Sequence, residues 1–239
     1  MKELWLVRHG ETTWNAEGRH QGQLNVPLSP RGVGQTFRLA ERLRTSGVAF
    51  DKLYSSDLER AQETARPIAQ ALDVPIYLDP RIREINSGVL QGLLQSEIEE
   101  RFPDYVRAVR ADPWNTPRPQ GESMAEVSRR VEAFLDDLPA GRFLIVTHGG
   151  VIRAALKLTL DLSGNIWRRF RIQNTSITRL VLPSAPVQPR GSEPLVRPIV
   201  DGVPSGQSLR EEGYAITVGD AAHLERWAEA LTTDEVEAG

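Results

Sequence analysis

The chain has 239 residues, of which 40% are hydrophobic and 26% charged, and its formal net charge is −3. That is enough apolar side chain for one large domain with its own core, and no excess of positive charge points to nucleic acid or an anionic membrane surface. Cysteine is absent, which excludes disulfides, thiolate catalysis and cysteine-bound metals.

Residues 3–7 predict a short, buried opening strand, and its apolar run Leu4-Trp5-Leu6-Val7 is too short and too soon ended by Arg8 for a secretory leader. Ser29 and Pro30 supply an N-cap and a first-turn proline for a helix to about residue 45, closed by Gly47. A strand is expected over 52–55. A helix capped by Asp57 and kinked at Pro67 should follow, running to Leu72, and then a strand over 76–78. Residues 79–121 are irregular, with a short helix over 95–102 and breaks at Pro103, Pro113, Pro117 and Pro119; such stretches often form a lid or substrate wall. A long helix over 123–138 carries Val127, Val131, Phe134, Leu135 and Leu138 on one stripe. A strand over 143–147 runs through Gly149 and Gly150 into a helix over 151–160, and another strand is expected over 177–182. Residues 183–204 hold Pro183, Pro186, Pro189, Pro194, Pro198 and Pro204 and read as an extended loop, before a last strand over 215–218.

Strands alternating with helices predict an α/β fold: a three-layer sandwich with a mainly parallel central sheet flanked by helices. The expected organisation is a core over 1–182 with a wall at about 85–120, a proline-rich insertion over 183–212, and a strand and tail over 213–239 that belong to the same domain. No apolar stretch reaches the roughly 20 residues of a membrane span, so a soluble cytoplasmic protein is expected, with a homodimer left open.

In such sheets ligands bind at the carboxyl ends of the strands, and two of those ends carry His9 and His148. The other histidines, His20 and His223, read as structural or surface residues. The four show no close pair of the kind that ligates a catalytic metal, so no metal is expected. Neutral imidazole is a competent nucleophile toward phosphorus. Arg8 beside His9 could hold the anion under attack, and Gly10 could let backbone approach a ligand. Taken alone, Arg8-His9-Gly10 reads first as a structural strand end. Arg60 could merely pair with Glu59 or Glu63, and Glu84 could be a solvated carboxylate. Of 29 basic residues only Lys2, Lys52 and Lys157 are lysine. Codon usage explains that most simply; phosphate recognition by guanidinium is the sharper alternative.

Several ordered motifs change the balance. Arg8-His9-Gly10-Glu11-Thr12, followed by Asn15, Arg19, Gln21, Gly22, Pro27 and Ser29, resembles the signature of the histidine phosphatase superfamily, the phosphoglycerate-mutase-like group. The blocks over 54–65, 82–85 and 146–153 resemble its arginine-bearing helix start, its catalytic acid segment and its second-histidine segment, and the likeness covers residues 2 to about 182. The resemblance implies that His9 accepts a phosphoryl group, that Arg8, Arg60 and His148 surround the phosphate, and that Glu84 is general acid and base. Asn15, Gln21, Gly22 and Gly149 would line the phosphate or substrate. No cofactor is implied, and the partner is a small phosphorylated metabolite.

Three functions stay open under that resemblance: a phosphatase, a bisphosphoglycerate-dependent mutase and a non-catalytic phospholigand-binding module. Mutases of the family carry a longer insertion than the 85–120 span here and usually Asn where this chain has Gly150, so the phosphatase is preferred. Asn25 stands where the family often has Asp. Within the wall, Phe102, Tyr105, Trp114, Arg107, Arg110 and Arg118 could meet an anionic, partly apolar ester or could equally pack the wall onto the core.

Overall fold

The computed structural model describes residues 1–183 and 213–224. The proline-rich insertion beyond Pro183 and the tail from residue 225 lie outside them. Six strands form one sheet: β1 (Lys2–Arg8), β2 (Lys52–Ser55), β3 (Ile76–Leu78), β4 (Gly141–Thr147), β5 (Ile177–Leu182) and β6 (Tyr214–Asp220). The order across the sheet is β3-β2-β4-β1-β5-β6. The pairs β3/β2, β2/β4 and β4/β1 are parallel, and the two pairings that involve β5 are antiparallel. The sheet is therefore mixed with a parallel centre, as the alternation of elements predicts.

Alternation along the central strands builds the three layers. Trp5, Val7, Leu144 and Val146 face one way and join Leu39 and Leu43 of α2 (Pro30–Thr45) with Ala61, Ala65 and Ile68 of α3 (Glu59–Leu72). Leu4, Leu6, Phe143 and Ile145 face the other way, against Val127, Val131 and Phe134 of α6 (Met124–Asp137) and Val151, Ile152 and Ala155 of α7 (Gly149–Thr159). Most of these side chains are fully buried, each worth about 1.5–3 kcal/mol for a Leu, Ile, Val or Phe. No helix of the described residues is long and apolar enough to cross a membrane.

Several local expectations need correction. Asp57 does not cap α3. Leu58 holds that position without a side-chain bond, and Asp57 pairs with Arg83 through a two-pronged contact instead. The helix expected over 95–102 does break before Pro103, as α4 (Gln95–Arg101), but Pro103 also opens a further helix that the expectation does not delimit. Pro103 is the first residue of α5 (Pro103–Ala111), where its missing N–H is no loss. A five-residue helix, α1 (Thr13–Glu17), held by a reciprocal capping box between Thr12 and Asn15, is absent from the sequence expectation. The last strand is longer than expected, extending to Asp220.

Candidate active site

The parallel register pairs Arg8 with Thr147, so the next residues, His9 and His148, leave adjacent strand ends side by side. Their rings sit 5.1 Å apart between centroids, and both are buried. The His9 backbone is fixed from two directions: its N–H donates to the Thr147 carbonyl (2.9 Å), and its carbonyl accepts from the Asn174 side-chain amide (3.0 Å). The His9 Nδ1 lies 2.7 Å from the Gly10 carbonyl. A carbonyl only accepts, so Nδ1 carries the proton and Nε2 keeps its lone pair. Burial, with Arg60 and then Arg8 adding to it, holds His9 well below the usual histidine range. His9 is thus neutral at neutral pH, the form that can act as a nucleophile.

His148 is held in the same neutral state by burial and by Arg60. Its Nε2 lies 2.9 Å from Ser56 Oγ, which also accepts the Leu58 N–H at 3.3 Å. His148 Nδ1 is buried and has no protein partner; it carries the imidazole proton in the tautomer in which the Ser56 hydroxyl donates to Nε2. Arg60 enters from the start of α3, almost fully buried. Its two terminal nitrogens donate to the Gly22 (2.7 Å) and Leu24 (2.8 Å) carbonyls, and its Nε is left buried and unpartnered. Neither Glu59 nor Glu63 pairs with it; Glu63 accepts the Leu28 N–H. Burial lowers the Arg60 guanidinium to about 10. Arg8 donates to the Ile172 carbonyl at 2.7 Å and likewise leaves a buried Nε free.

Glu84 follows a 3₁₀ turn over Pro80–Ile82 whose last carbonyl accepts from Thr147 Oγ1 at 2.7 Å. The Glu84 carbonyl accepts from Gln23 (3.0 Å) and Arg130 (3.1 Å), so its backbone is pinned beside the end of β4. Its carboxylate takes the N–H groups of Ile85 (2.9 Å) and Gly150 (3.2 Å). The Gly150 N–H at the head of α7 is therefore committed to Glu84. A Cβ on Gly150 would stand 2.2 Å from Glu84 Oε1, whereas Gly149 lies between Arg8 and Arg153, 3.8 and 3.1 Å from where its own Cβ would be.

The remaining expected residues divide. Asn15 Oδ1 accepts from the Thr12 N–H (3.2 Å) and from Asn174 (3.2 Å), leaving its own amide N–H₂ for a ligand. Gln21 is buried with its Oε1 unpartnered, while Gly22 serves the site through Arg60. Gly10 is needed for a different reason than ligand approach: a Cβ there would meet the Gly32 carbonyl of α2 at 2.8 Å. Within the wall, Phe102 and Tyr105 pack on Leu90, Ile98 and Val106, and Trp114 packs edge-on against Trp167 at 5.3 Å. Arg107 pairs with Asp104 and Arg110 with Glu99. Only Arg118 of that group lines a cavity of about 400 Å³ that Glu84 and Gly150 also line.

Ser56, inside the 54–65 block, and Asn174 and Thr175, which carry no local sequence signal, also bond the expected residues, and His223 reaches them through Thr175. Thr175 sits at φ +57°, an uncommon conformation for a β-branched residue, and its N–H donates to the Arg8 carbonyl at 2.9 Å. Its hydroxyl donates to the Asn174 carbonyl (2.8 Å) and lies 3.0 Å from His223 Nε2; His223 Nδ1 accepts from Arg42 at 3.2 Å. His20 contacts only Gln95, at 3.3 Å among its side-chain bonds. Among the described residues no group of three or more His, Asp or Glu side chains could hold a metal.

A family model described as "Histidine phosphatase superfamily (branch 1)" matches residues 4–187. The Enterobacter sp. (strain 638) protein named "Probable phosphoglycerate mutase GpmB" is 41% identical over 190 residues, covering 78% of this chain and 87% of that relative. Among solved structures, Bacillus stearothermophilus YhfR superposes with a TM-score of 0.75 at 27% identity, covering 94% of this chain and 100% of that one. Phosphoserine phosphatase from Entamoeba histolytica, solved with 3-phosphoglyceric acid, gives 0.73 at 25% identity with the same coverage of 94% and 100%.

Proposed function

This chain belongs to the histidine phosphatase superfamily, and on that premise we propose that it is a phosphatase hydrolysing phosphomonoesters of small metabolites through a phosphohistidine on His9. One observation carries the reading. Three buried nitrogens without protein partners, Arg8 Nε, Arg60 Nε and His148 Nδ1, belong to groups gathered about His9: the Arg60 and Arg8 charges act on both histidines, and the His9 Nε2 is free. Buried donors are almost always paired, and the phosphoryl oxygens of a substrate would pair these.

In the first half-reaction His9 Nε2 attacks phosphorus. The P–O bond to the alcohol breaks as the P–N bond forms, and Glu84 gives the leaving oxygen its proton. Phosphoryl transfer depends chiefly on positioning and on positive charge around the equatorial oxygens; Arg8 and Arg60 would supply the charge and neutral His148 a hydrogen bond. In the second, Glu84 takes a proton from water, whose oxygen attacks phosphorus and releases inorganic phosphate and neutral His9. No step requires a metal.

The mutase reading is favoured by the names of curated relatives such as the Enterobacter protein. Against it stands Gly150: any side chain there collides with the Glu84 carboxylate in its present position, and mutases of the family usually carry Asn. The phosphatase reading is supported further by a phosphoserine phosphatase among the structural neighbours. The experiment supplies 3-phosphoglycerate with catalytic 2,3-bisphosphoglycerate and compares isomerisation with phosphate release. Release should dominate; isomerisation many times faster than release would make the mutase reading the correct one.

A further inference from the structure

Glu84 stands on neither a helix nor a strand. It lies two residues past the 3₁₀ turn over Pro80–Ile82, in a stretch of irregular backbone. Much of what fixes that stretch comes from α6 and the residues just before it. Arg130, in the second turn of α6, donates through Nη1 to the Arg81 carbonyl (2.7 Å) and through Nη2 to the Glu84 carbonyl (3.1 Å). The Glu122 carboxylate accepts the Asn86 N–H at 2.8 Å, and the Glu122 N–H donates to the Asn86 carbonyl, also at 2.8 Å. Arg130 and Glu122 are themselves joined by two contacts of 3.1 Å, from Nε and from Nη2.

The backbone groups held in this way belong to Arg81, Glu84 and Asn86, so they bracket the carboxyl from both sides. The pair that holds them is shielded: its side chains are 18% and 24% exposed, against 55% and 59% for Arg44 and Glu41. A solvated pair of the latter kind contributes little, whereas a guanidinium fork bonded at once to a carboxylate and two carbonyls is fixed in one geometry. Gly121 lets the two segments approach, since a Cβ there would stand 2.3 Å from the Asn86 carbonyl oxygen. Neither Arg130 nor Glu122 lines the cavity that Glu84 borders. Arg130 also adds to the positive charge near His148, after burial, Arg60 and His9 in weight; were that its function, esters of every kind would be affected alike.

Resting on the acid role given to Glu84 above, we propose that Arg130 and Glu122 are positioning residues that clamp residues 81–86 so that the Glu84 carboxyl meets the leaving oxygen. The proton passes from that carboxyl to the oxygen as the P–O bond breaks, and a carboxylate remains. Such a transfer needs the two oxygens within about 2.6–3.2 Å, and a displacement of about 1 Å costs as much as roughly 100-fold. Loosening the clamp therefore slows protonation of the leaving group, while His9, Arg8 and Arg60, held by other elements, keep their places.

The test follows phosphoenzyme formation, the half-reaction that a phosphatase and a mutase share, read as first-turnover release of the alcohol from glycerol 3-phosphate and from nitrophenyl phosphate. Arg130→Met should slow the alkyl ester by about 10- to 100-fold and the nitrophenyl ester several times less, because nitrophenolate leaves without a proton. Arg130→Lys, which keeps the cation but loses the fork, should fall between Arg130→Met and the wild type, and Glu122→Gln should show the same bias. Unfolded chains in a preparation lower both rates by one factor, so the ratio of the two losses reports the folded molecules alone. In a Glu84→Gln background Arg130→Met should add little, since its effect passes through the carboxyl. Equal losses on the two esters, or a full further loss in the Glu84→Gln background, overturns the proposal. If the bias is found but the phosphoenzyme returns its group to an acceptor instead of water, the clamp stands and the hydrolase reading falls. If Glu84→Gln itself shows no bias, the acid role falls and the clamp with it.

Discussion

His9, His148, Arg8, Arg60 and Glu84 are separated by up to 140 positions in sequence, yet each can be located from a short local pattern: a histidine just past an apolar strand, an arginine at the first turn of a helix, a carboxylate after Ile82-Arg83. What such patterns do not convey is how each atom is committed. Gly10 is a packing glycine, because α2 passes against it. The Gly150 N–H is not free for phosphate, because Glu84 already accepts it. That contact yields a sharp expectation. Gly150→Ala places a methyl group 2.2 Å from Glu84 Oε1 and must displace the carboxylate. Since Ala suits a helix better than Gly by roughly 0.5–1 kcal/mol, the variant should fold at least as stably as the parent while turning over alkyl phosphates more slowly. Glu84→Gln should show the same kinetic signature, a loss of about 10²–10⁴ on alkyl phosphates and a much smaller one in the phosphorylation step with nitrophenyl phosphate, whose leaving group hardly needs a proton. Melting temperatures and single-turnover rates on both substrates check this; equal losses on both would remove Glu84 from the acid role.

Among the elements, the parallel strands and their flanking helices were legible because period-2 and period-3.6 patterns are long there. Within the wall the break before Pro103 is legible, since α4 ends at Arg101, whereas α5 is not, because a proline marks a helix start as readily as a stop. The approach to β5 was not legible at all: Asn174 and Thr175 act on residues more than 150 positions away, and no local pattern encodes such contacts. There the chain from Arg42 through His223 and Thr175 to Asn174 steadies the carbonyls of Arg8 and His9. His223 is neutral in this chain, lowered to about 4 by burial and by Arg42, with Asp220 opposing. His223→Ala should release Thr175 from its left-handed conformation and lower kcat about 10- to 100-fold, as small misplacements of a nucleophile do, with KM nearly constant; His223→Gln, which keeps a donor and an acceptor, should recover part of the loss. An unchanged kcat in His223→Ala would show that the β5 turn holds itself.

For the whole molecule, the two buried histidines tie stability to pH. His9 and His148 keep folded values well below the ordinary 6.5. Above pH 6.5 they are neutral whether the chain is folded or not, and they add no pH dependence. Below it the unfolded chain takes up protons that the folded chain refuses, so folding stability should fall as pH drops, by about 1.4 kcal/mol per pH unit for each histidine. Urea denaturation at pH 7.5 and 5.5 reads this directly, and a stability that holds level or rises toward pH 5.5 would mean that the pair is charged in the fold. The three-layer architecture that buries them follows from the alternation of apolar residues along β1 and β4, whereas the hold of Arg130 on the segment bearing Glu84 emerges only once α6 is packed beside the 3₁₀ turn over Pro80–Ile82. The central claim is the phosphohistidine, and it is tested most directly by trapping it: react the chain with a ³²P-labelled phosphomonoester, quench in alkali within one turnover, and map the label. The account predicts alkali-stable label on the peptide holding His9, lost in His9→Ala; label on His148, or on no histidine, would contradict it.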